Sequence, residues 1–483
     1  MNTHTIKTFV LFAMLVSAFS CKKDLKEVPK TFISPSAYFT NPKSFDQAVI
    51  GIYSGLSGLE NSNTNMLLEM CTDIYGTPSP LFEQALPTYQ NAPAYFYYNT
   101  RLAWSGAYTI IKNANFVIAN LPSSLLSSTQ NNALLAEAKF LRAYAFFYLV
   151  QLYGDVPLPL KLPSNYIDLK MPRTPQAEVY KQILDDLTYA EANLPDVAIQ
   201  QGRVYKLVAT ALLAKVYLTM AGNPLKQTQY YSNARDKALA VINSGKFALL
   251  NDYSTIFHNT AYTSESIWEQ LFVPTTGGNP MYAICVTANS FKPILLPSTW
   301  FINSFSKGDQ RKEWGIQLAY KDPSNNTLAP FFQKFVNNAY IDAGYTSYSG
   351  ALIINYTMPI LRLAEMYLIA AEAENELNGP TNAYQYINKI RWRARVNKSD
   401  PTNVPDLAGL SQSDFRLAVW MERKWELCLE GSSWFDMKRS NTFSNIQTLR
   451  GSGLINPIGP YNQTWLIPDN EIINNNIPQN PAY

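Results

Sequence analysis

Acidic and basic residues occur close together at several points of this chain, and paired carboxylates are what acid–base catalysis requires. These groups lie in stretches whose remaining positions follow an apolar helical period. We therefore interpret them as ion pairs between helices rather than as an active site. The groups are Glu137 with Arg142, Arg362 with Glu365, and Arg423 with Glu422 and Glu426.

Two carboxylates from distant loops are enough for glycoside hydrolysis, and Asp73, Glu265 or Glu269 could supply them. Nothing in the sequence pairs these three residues, so a hydrolase remains a remote alternative. The only histidines are His4 and His258, which excludes histidine-rich metal sites and the HExxH type of zinc site. No cofactor and no metal ion are predicted.

Three segments of the chain are rich in tyrosine and poor in charge: residues 75–98, 274–300 and 340–356. Their only charged residues are Glu83, Lys292 and Asp342, respectively. A neutral sugar has an apolar face that aromatic rings cover, and hydroxyl groups that Asn, Asp and Tyr side chains pair. These segments therefore predict a neutral glycan site, although most of the rings are expected to pack the segments onto the scaffold. The predicted ligand-binding residues are Asp73, Tyr75, Tyr89, Tyr95, Tyr97, Tyr98, Asn279, Tyr282, Tyr345 and Tyr348.

The composition predicts an ordered protein that does not bind nucleic acid. The 483 residues are 47% hydrophobic and 16% charged, with a net charge of +3. One basic run, Lys389 to Lys398, surrounds Trp392, and we interpret it as cations at a helix C-terminus.

The N-terminus predicts an exported, lipid-anchored protein. Residues 9–19 form an apolar run of 11 residues, too short to cross a bilayer but typical of a secretion signal. Ala18, Phe19 and Ser20 then precede Cys21, as in a bacterial lipoprotein cleavage box, although the usual leucine three residues before the cysteine is Ala18 here. We expect residues 1–20 to be removed and Cys21 to carry the acyl chains. Cys71, Cys285 and Cys428 form no CxxC pair; one bridge between two of them stays open.

Most of the chain after this segment has the apolar period of helices. Small and aromatic residues recur together within these stretches, as in Ala211, Ala214 and Tyr217, which is typical of tetratricopeptide-like helical hairpins. Trp104 and Tyr108 follow the helical period and are expected in the core. The predicted helices are 42–56, 101–121, 134–153, 175–194, 205–221, 231–244, 359–377, 380–396 and 412–430.

Four blocks of sequence resemble the RagB/SusD family of nutrient-binding outer-membrane lipoproteins. They are Glu27-Val28-Pro29 with 48–53, residues 136–144 with 152–157, residues 361–365 with 371–373 and 388–391, and residues 422–427 with 430–439. The tail, Ile467-Pro468 and 479–483, fits the same pattern.

The resemblance implies a mainly α fold: a tetratricopeptide-like scaffold with a loop-rich ligand-binding half and a few short strands. We expect a single domain from residue 21 to residue 483. Its scaffold would comprise about 40–60, 101–245 and 359–440, and its ligand-binding half about 61–100, 246–358 and 440–483.

The resemblance also implies a non-catalytic function on the outer face of the outer membrane. Such a protein captures a glycan, sometimes a peptide, and passes it to a TonB-dependent β-barrel transporter of the SusC/RagA type. Its only contact with the membrane is through its lipid anchor. Three alternatives remain open: a peptide receptor of the same architecture, the hydrolase, and a lipoprotein that only stabilises the barrel.

Overall fold

The computed structural model describes residues 34–60, 62–76, 93–163, 170–272, 279, 281, 285, 295–321, 327–328, 330–336, 355–450, 459 and 463–481. Residues 1–44 and residues 45–483 are two separate compact units. In the first, Ser34 caps the short helix Pro35–Tyr38 by accepting a hydrogen bond from the Ala37 backbone. The second contains the rest of the fold.

Helices make up most of the described chain. Before residue 260 the helices, counted from the start of the described chain, are α1 Pro35–Tyr38, α2 Pro42–Tyr53, α3 Leu56–Leu59, α4 Ser62–Met70, α5 Pro93–Ala119, α6 Ser128–Tyr153, α7 Gln176–Asn193, α8 Lys206–Ala221, α9 Tyr230–Ile242 and α10 Ser254–Phe257. After it they are α11 Thr299–Ser304, α12 Gln310–Glu313, α13 Leu363–Asn378, α14 Tyr384–Ala394, α15 Gln412–Leu427, α16 Ser433–Ser440, α17 Ser444–Arg450 and α18 Asp469–Asn475.

The strands are short and pair two by two. They are β1 Tyr75–Gly76, β2 Ser266–Gln270, β3 Leu296–Pro297, β4 Ile316–Gln317, β5 Tyr320–Lys321, β6 Thr327–Leu328, β7 Phe331–Phe332 and β8 Met358–Arg362. The antiparallel pairs are β1 with β3, β2 with β8, β4 with β7 and β5 with β6.

The long helices form an array in which each packs on the next along the chain, from α5 through α9. The array then resumes at α13, which packs on α9 and α8 as well as on α14 and α15. The roughly 120 residues between α9 and α13 are thus an excursion that leaves the array and returns to it. This confirms the predicted helical scaffold with short strands.

Small residues sit where neighbouring helices approach, as the sequence predicted. Ala138, Ala211, Ala214, Ala364 and Ala371 are completely buried. Because the side chain of alanine is small, the helix axes can come close at these points, and large aromatic rings fill the remaining gaps. Trp104 and Tyr153, for example, pack edge to face with their ring centroids 4.9 Å apart.

Two helix boundaries depart from the prediction for identifiable reasons. Helix α6 starts at Ser128 rather than Leu134 because Ser127 and Gln130 form a capping box that satisfies two free backbone N–H groups. The helix predicted from Pro359 begins only at Leu363, because Met358–Arg362 pairs with Ser266–Gln270 as a strand. The local period alone does not register a partner strand almost 90 residues away.

The last long helix also ends early, at Leu427 rather than Glu430. Leu429 and Gly431 both adopt positive φ angles, 62° and 68°, so the chain makes a tight turn after α15. This left-handed conformation is strained for a leucine. The turn Cys428–Gly431 frees Glu430 to reach Lys334 and Arg362.

Two further features of the described residues are the state of the three cysteines and the hydropathy of the helices. Cys71, Cys285 and Cys428 are buried and free, so no bridge joins any two of them. Within the described ranges, no helix is both long and apolar enough to cross a membrane.

A buried ion-pair network joins the excursion to the end of the array. At its centre Glu426 accepts hydrogen bonds from Arg311, Arg362 and Arg393. The network's five cations and five carboxylates balance, and no member exposes more than 6% of its side chain. The members are Arg311, Lys334, Arg362, Arg391, Arg393, Glu265, Asp309, Glu422, Glu426 and Glu430.

The interpretation of the charge groups as structural ion pairs is therefore confirmed, but the partners differ from those nearest in sequence. Glu137 pairs with Arg203, and Arg142 makes a two-point contact with Asp186. Most of the basic run also lies in such pairs: Arg391 binds Glu422, Arg393 binds Glu426 and Arg395 binds Asp406.

We expect the replacement E426Q to destabilise the fold by about 3–5 kcal/mol, because it leaves one buried arginine charge without compensation. Although burial alone would raise the pKa of Glu426, Arg393, Arg362 and Arg311 hold that pKa well below its ordinary value. Urea unfolding followed by circular dichroism measures the loss. The control D196N removes the exposed Asp196–Lys206 pair and should leave the unfolding midpoint unchanged. Equal midpoints for E426Q and D196N would contradict the assigned role.

Candidate ligand-binding site

The structure places the predicted ligand residues in three groups. Tyr89, Tyr282, Tyr345 and Tyr348 lie outside the described residues. Tyr95, Tyr97 and Tyr98 lie in the first turns of α5, which corrects the prediction of a loop up to residue 100, and their side chains are outside what is described. The remaining three, Asp73, Tyr75 and Asn279, are well placed and show how the segments are held.

The first tyrosine-rich segment starts at the strand pair of β1 with β3, and the second segment ends at the same pair. Tyr75 lies opposite Pro297, and Gly76 lies opposite Leu296. Ser298 extends this pairing, because its backbone N–H donates to the Ile74 carbonyl at 2.8 Å and its hydroxyl to the Asp73 carbonyl at 3.2 Å. The segment that leaves at residue 77 and the segment that returns at residue 295 therefore share one base.

The third segment contacts the second at its far end, and strand β7, which precedes it in the chain, contacts the first. The Phe332 ring of β7, the last described strand before the third segment, packs 5.2 Å from Tyr75. At its far end, Asn279 donates from Nδ2 to the Tyr356 carbonyl at 3.0 Å. The Tyr356 ring stacks on His258, with centroids 4.9 Å apart and planes 13° from parallel. Described residues of the second segment thus contact the first segment at Tyr75 and the third segment at Tyr356.

This geometry corrects the prediction of three ligand contacts. The residues concerned anchor the tyrosine-rich segments instead; they are Asp73, Tyr75 and Asn279. Each is at most 3% exposed, so none offers a face to a ligand. Asp73 forms an ion pair with Lys424 of α15, and the Tyr75 hydroxyl accepts a hydrogen bond from the Leu429 backbone at 3.0 Å. The sequence showed polar and aromatic residues at this point but not their depth.

Glu69 forms hydrogen bonds with Tyr75 of strand β1 and with the turn Cys428–Gly431. Its carboxylate accepts a 2.8 Å hydrogen bond from the Gly431 N–H and one from the Tyr75 hydroxyl. The hydroxyl in turn accepts from Leu429, so the strained turn Cys428–Gly431 is tied to the first residue of the first segment. Complete burial raises the pKa of Glu69 from 4.5 to about 7, against the lowering effects of Tyr75, Gly431, Ser433 and Lys334.

Several aromatic side chains lie close to the strand pair of β1 with β3. Trp300 is half-buried at the end of the second segment, and the Lys424 ammonium lies 5.4 Å from its ring centroid. Beneath it, Trp425 packs on Phe305 with centroids 5.8 Å apart and donates from Nε1 to Ser304 at 2.9 Å. Sequence reasoning missed Lys424 and Trp425 as parts of this site, because they lie on α15, more than 100 residues after the first two segments.

The carboxylates considered for hydrolysis are occupied inside the core. Glu265 binds Arg362 at 3.0 Å and is completely buried. Glu269 is 1% exposed and accepts a hydrogen bond from Ser266. Its burial raises its pKa to about 7. With Asp73 paired to Lys424, none of the three faces a surface where a polysaccharide would reach it.

Metal binding finds no support in the described part of the chain. No group of three or more His, Cys, Asp or Glu side chains there has an arrangement that could hold an ion.

Comparisons with known proteins match this chain along most of its length. The model of the SusD family matches residues 197–482, and a second family model, described as starch-binding and associating with the outer membrane, matches residues 27–218. The SusD-like protein P25 of Formosa agariphila is 27% identical over 90% of this chain and 90% of its own length.

Two further comparisons are with a solved structure and with a starch-binding protein. The crystal structure of a SusD superfamily protein from Parabacteroides distasonis superposes with a TM-score of 0.78 at 25% identity, covering 91% of this chain and 99% of that one. The starch-binding protein SusD of Bacteroides thetaiotaomicron is 29% identical over 161 residues, which are 32% of this chain and 28% of that protein.

We expect E69Q to remove a pH dependence of stability. Because the folded-state pKa of Glu69 lies above its ordinary value, its protonated form stabilises the fold fully below pH 4.5, and this contribution is lost as the pH rises through about 7. The unfolding free energy of E69Q should therefore gain about 2–3 kcal/mol on that of the wild type between pH 5 and pH 8. Parallel curves from urea unfolding at the two pH values would contradict this.

Proposed function

This chain belongs to the SusD family, and from that membership we propose that it is a non-catalytic lipoprotein of the cell surface that captures an oligosaccharide and delivers it to a TonB-dependent transporter of the SusC/RagA type. The resemblance predicted from the sequence blocks is thereby confirmed. The family is a carbohydrate-binding one, and the match to the starch-binding, outer-membrane-associated description supports both the ligand class and the location.

The observation that carries the glycan proposal is the common base of the three tyrosine-rich, charge-poor segments. Tyr75 of the first segment pairs with Pro297 of the second, Phe332 ahead of the third packs on Tyr75, and Asn279 of the second binds the Tyr356 carbonyl of the third. The segments themselves carry almost no charge, whereas many of the scaffold's charges lie in buried pairs. A neutral oligosaccharide fits such a surface, because the rings cover its apolar faces without a charged group losing its hydration.

The binding site is proposed to include Tyr89, Tyr95, Tyr97, Tyr98, Tyr282, Tyr345 and Tyr348, with Trp300 at its described rim. Asp73, Tyr75 and Asn279 support these residues from below. The role of each of the seven tyrosines rests on its position in a segment, which binding measurements on variants test directly.

Calorimetry against neutral polysaccharides and peptides tests the ligand class. We expect binding to at least one neutral glycan, and we expect Y97A/Y98A to weaken it at least about tenfold, since two stacking rings are lost. Association with the transporter should not change.

The matched control for this measurement is Y189A/Y386A, which removes two partly exposed tyrosines from array helices α7 and α14. It should bind like the wild type. Heat with peptides but with no polysaccharide would instead establish the peptide receptor, and an unchanged affinity of Y97A/Y98A would remove these two rings from the site.

The lipid anchor has its own test, because Cys21 lies outside the described residues. In cells that receive a radiolabelled fatty acid, the wild type should carry the label and sediment with outer membranes. C21A should carry none and should no longer sediment with outer membranes, because the acyl chains on Cys21 are the proposed anchor. The variant C71S is the control, because Cys71 is buried. Label on C21A would contradict the assignment.

A further inference from the structure

Lys438 is a buried cation without a carboxylate partner. It lies in α16 with 6% of its surface exposed, and its ammonium donates to the Gln151 carbonyl at the end of α6. The face of Trp434 lies 5.5 Å away. An ammonium group has three N–H donors, so one carbonyl leaves most of its hydrogen-bonding capacity unused.

The surrounding charges are already matched to one another. Arg439, the next residue, binds Glu372 and Asp436; Asp436 also binds Arg423. Glu365 completes this group by binding Arg423 and Lys215. Three cations thus face three carboxylates, and among the described residues no acidic side chain pairs with Lys438.

A small cavity lies beside this lysine. Gln176 of α7, Thr219 of α8, Asn223 of the following turn, and Lys438 and Arg439 line it, and it has room for one particle about the size of a water molecule. Its lining combines two basic side chains and neutral hydrogen-bonding groups with the apolar side chains of Val150, Pro224 and Phe435, and it contains no carboxylate.

We propose that this cavity binds a small monovalent inorganic anion of the halide class, which neutralises the buried ammonium of Lys438. The anion would replace the missing carboxylate and occupy the donors that Gln151 leaves free. A bare buried ammonium costs several kcal/mol, and pairing is the way in which proteins retain such a charge. Because the cavity is bordered by α6, α7, α8 and α16, the anion would tie together four helices of the scaffold, away from the ligand segments.

The pH dependence of this site follows from the groups that face it. Burial lowers the pKa of Lys438 to about 7, so the lysine is neutral at higher pH unless an anion is bound. Arg439 stays charged, Asp436, with a pKa of about 2, stays ionised beside it, and Tyr180, whose pKa burial raises, stays neutral. Anion binding should therefore be strong at pH 6 and absent at pH 9.

Bromide is the probe for this site, because its anomalous scattering distinguishes it from water. We expect crystals of the full chain grown at pH 6 with bromide to show an anomalous peak within hydrogen-bond distance of Lys438 Nζ, and crystals of K438M to show none. A water at that position in the wild type, or a peak that persists in K438M as an adventitious ion, would overturn the proposal.

Calorimetric melting in solution gives a second readout that does not require crystals of the variant. At pH 6 and constant ionic strength, exchanging gluconate for chloride should raise the melting temperature of the wild type by about 1–2 °C. The same exchange should have no effect at pH 9, or on K438M at either pH. Equal chloride effects on K438M and the wild type would overturn the proposal.

Discussion

The contact between Glu426 and three arginines is the constraint on which the rest of this structure depends. Arg311 and Arg362 come from the excursion and Arg393 from α14, so this one carboxylate fixes where the excursion returns to the array. Buried charges permit few alternative packings, because any other arrangement leaves one of them unpaired. The apolar contacts between the helices supply most of the stability, but they do not specify this alignment so narrowly.

The position of the ligand segments follows from that alignment. Glu426 lies two residues before the turn Cys428–Gly431, and the strained turn presents the N–H groups of Leu429 and Gly431 to Tyr75 and Glu69. Tyr75 begins the first segment, lies opposite Pro297 of the second and packs on Phe332 ahead of the third. A conformation that is unfavourable for leucine thus persists where several hydrogen bonds hold it.

The sequence predicted the scaffold better than the site for a physical reason. Helical periods and terminators such as Gly154 are local, and they located nearly every long helix, whereas the cap Ser127 was not recognised and the start of α6 was placed six residues late. The pairing of β8 with β2, the partners of Arg362 and the depth of Tyr75 depend on residues distant in the chain, and no local pattern encodes them. The same limit explains why Glu137 was placed beside Arg142 but pairs with Arg203.

The distribution of charge explains how one chain keeps its frame and its ligand surface chemically separate. Arginines and carboxylates form ion pairs inside the scaffold, where their long-range electric fields cancel. The tyrosine-rich segments therefore experience little electric field from the scaffold. Exposed charges on those segments would favour ionic ligands and would have to lose hydration when a neutral sugar binds. No member of the buried network around Glu426 lies in the three tyrosine-rich segments, so a substitution of rings or amides there would leave these ion pairs as they are.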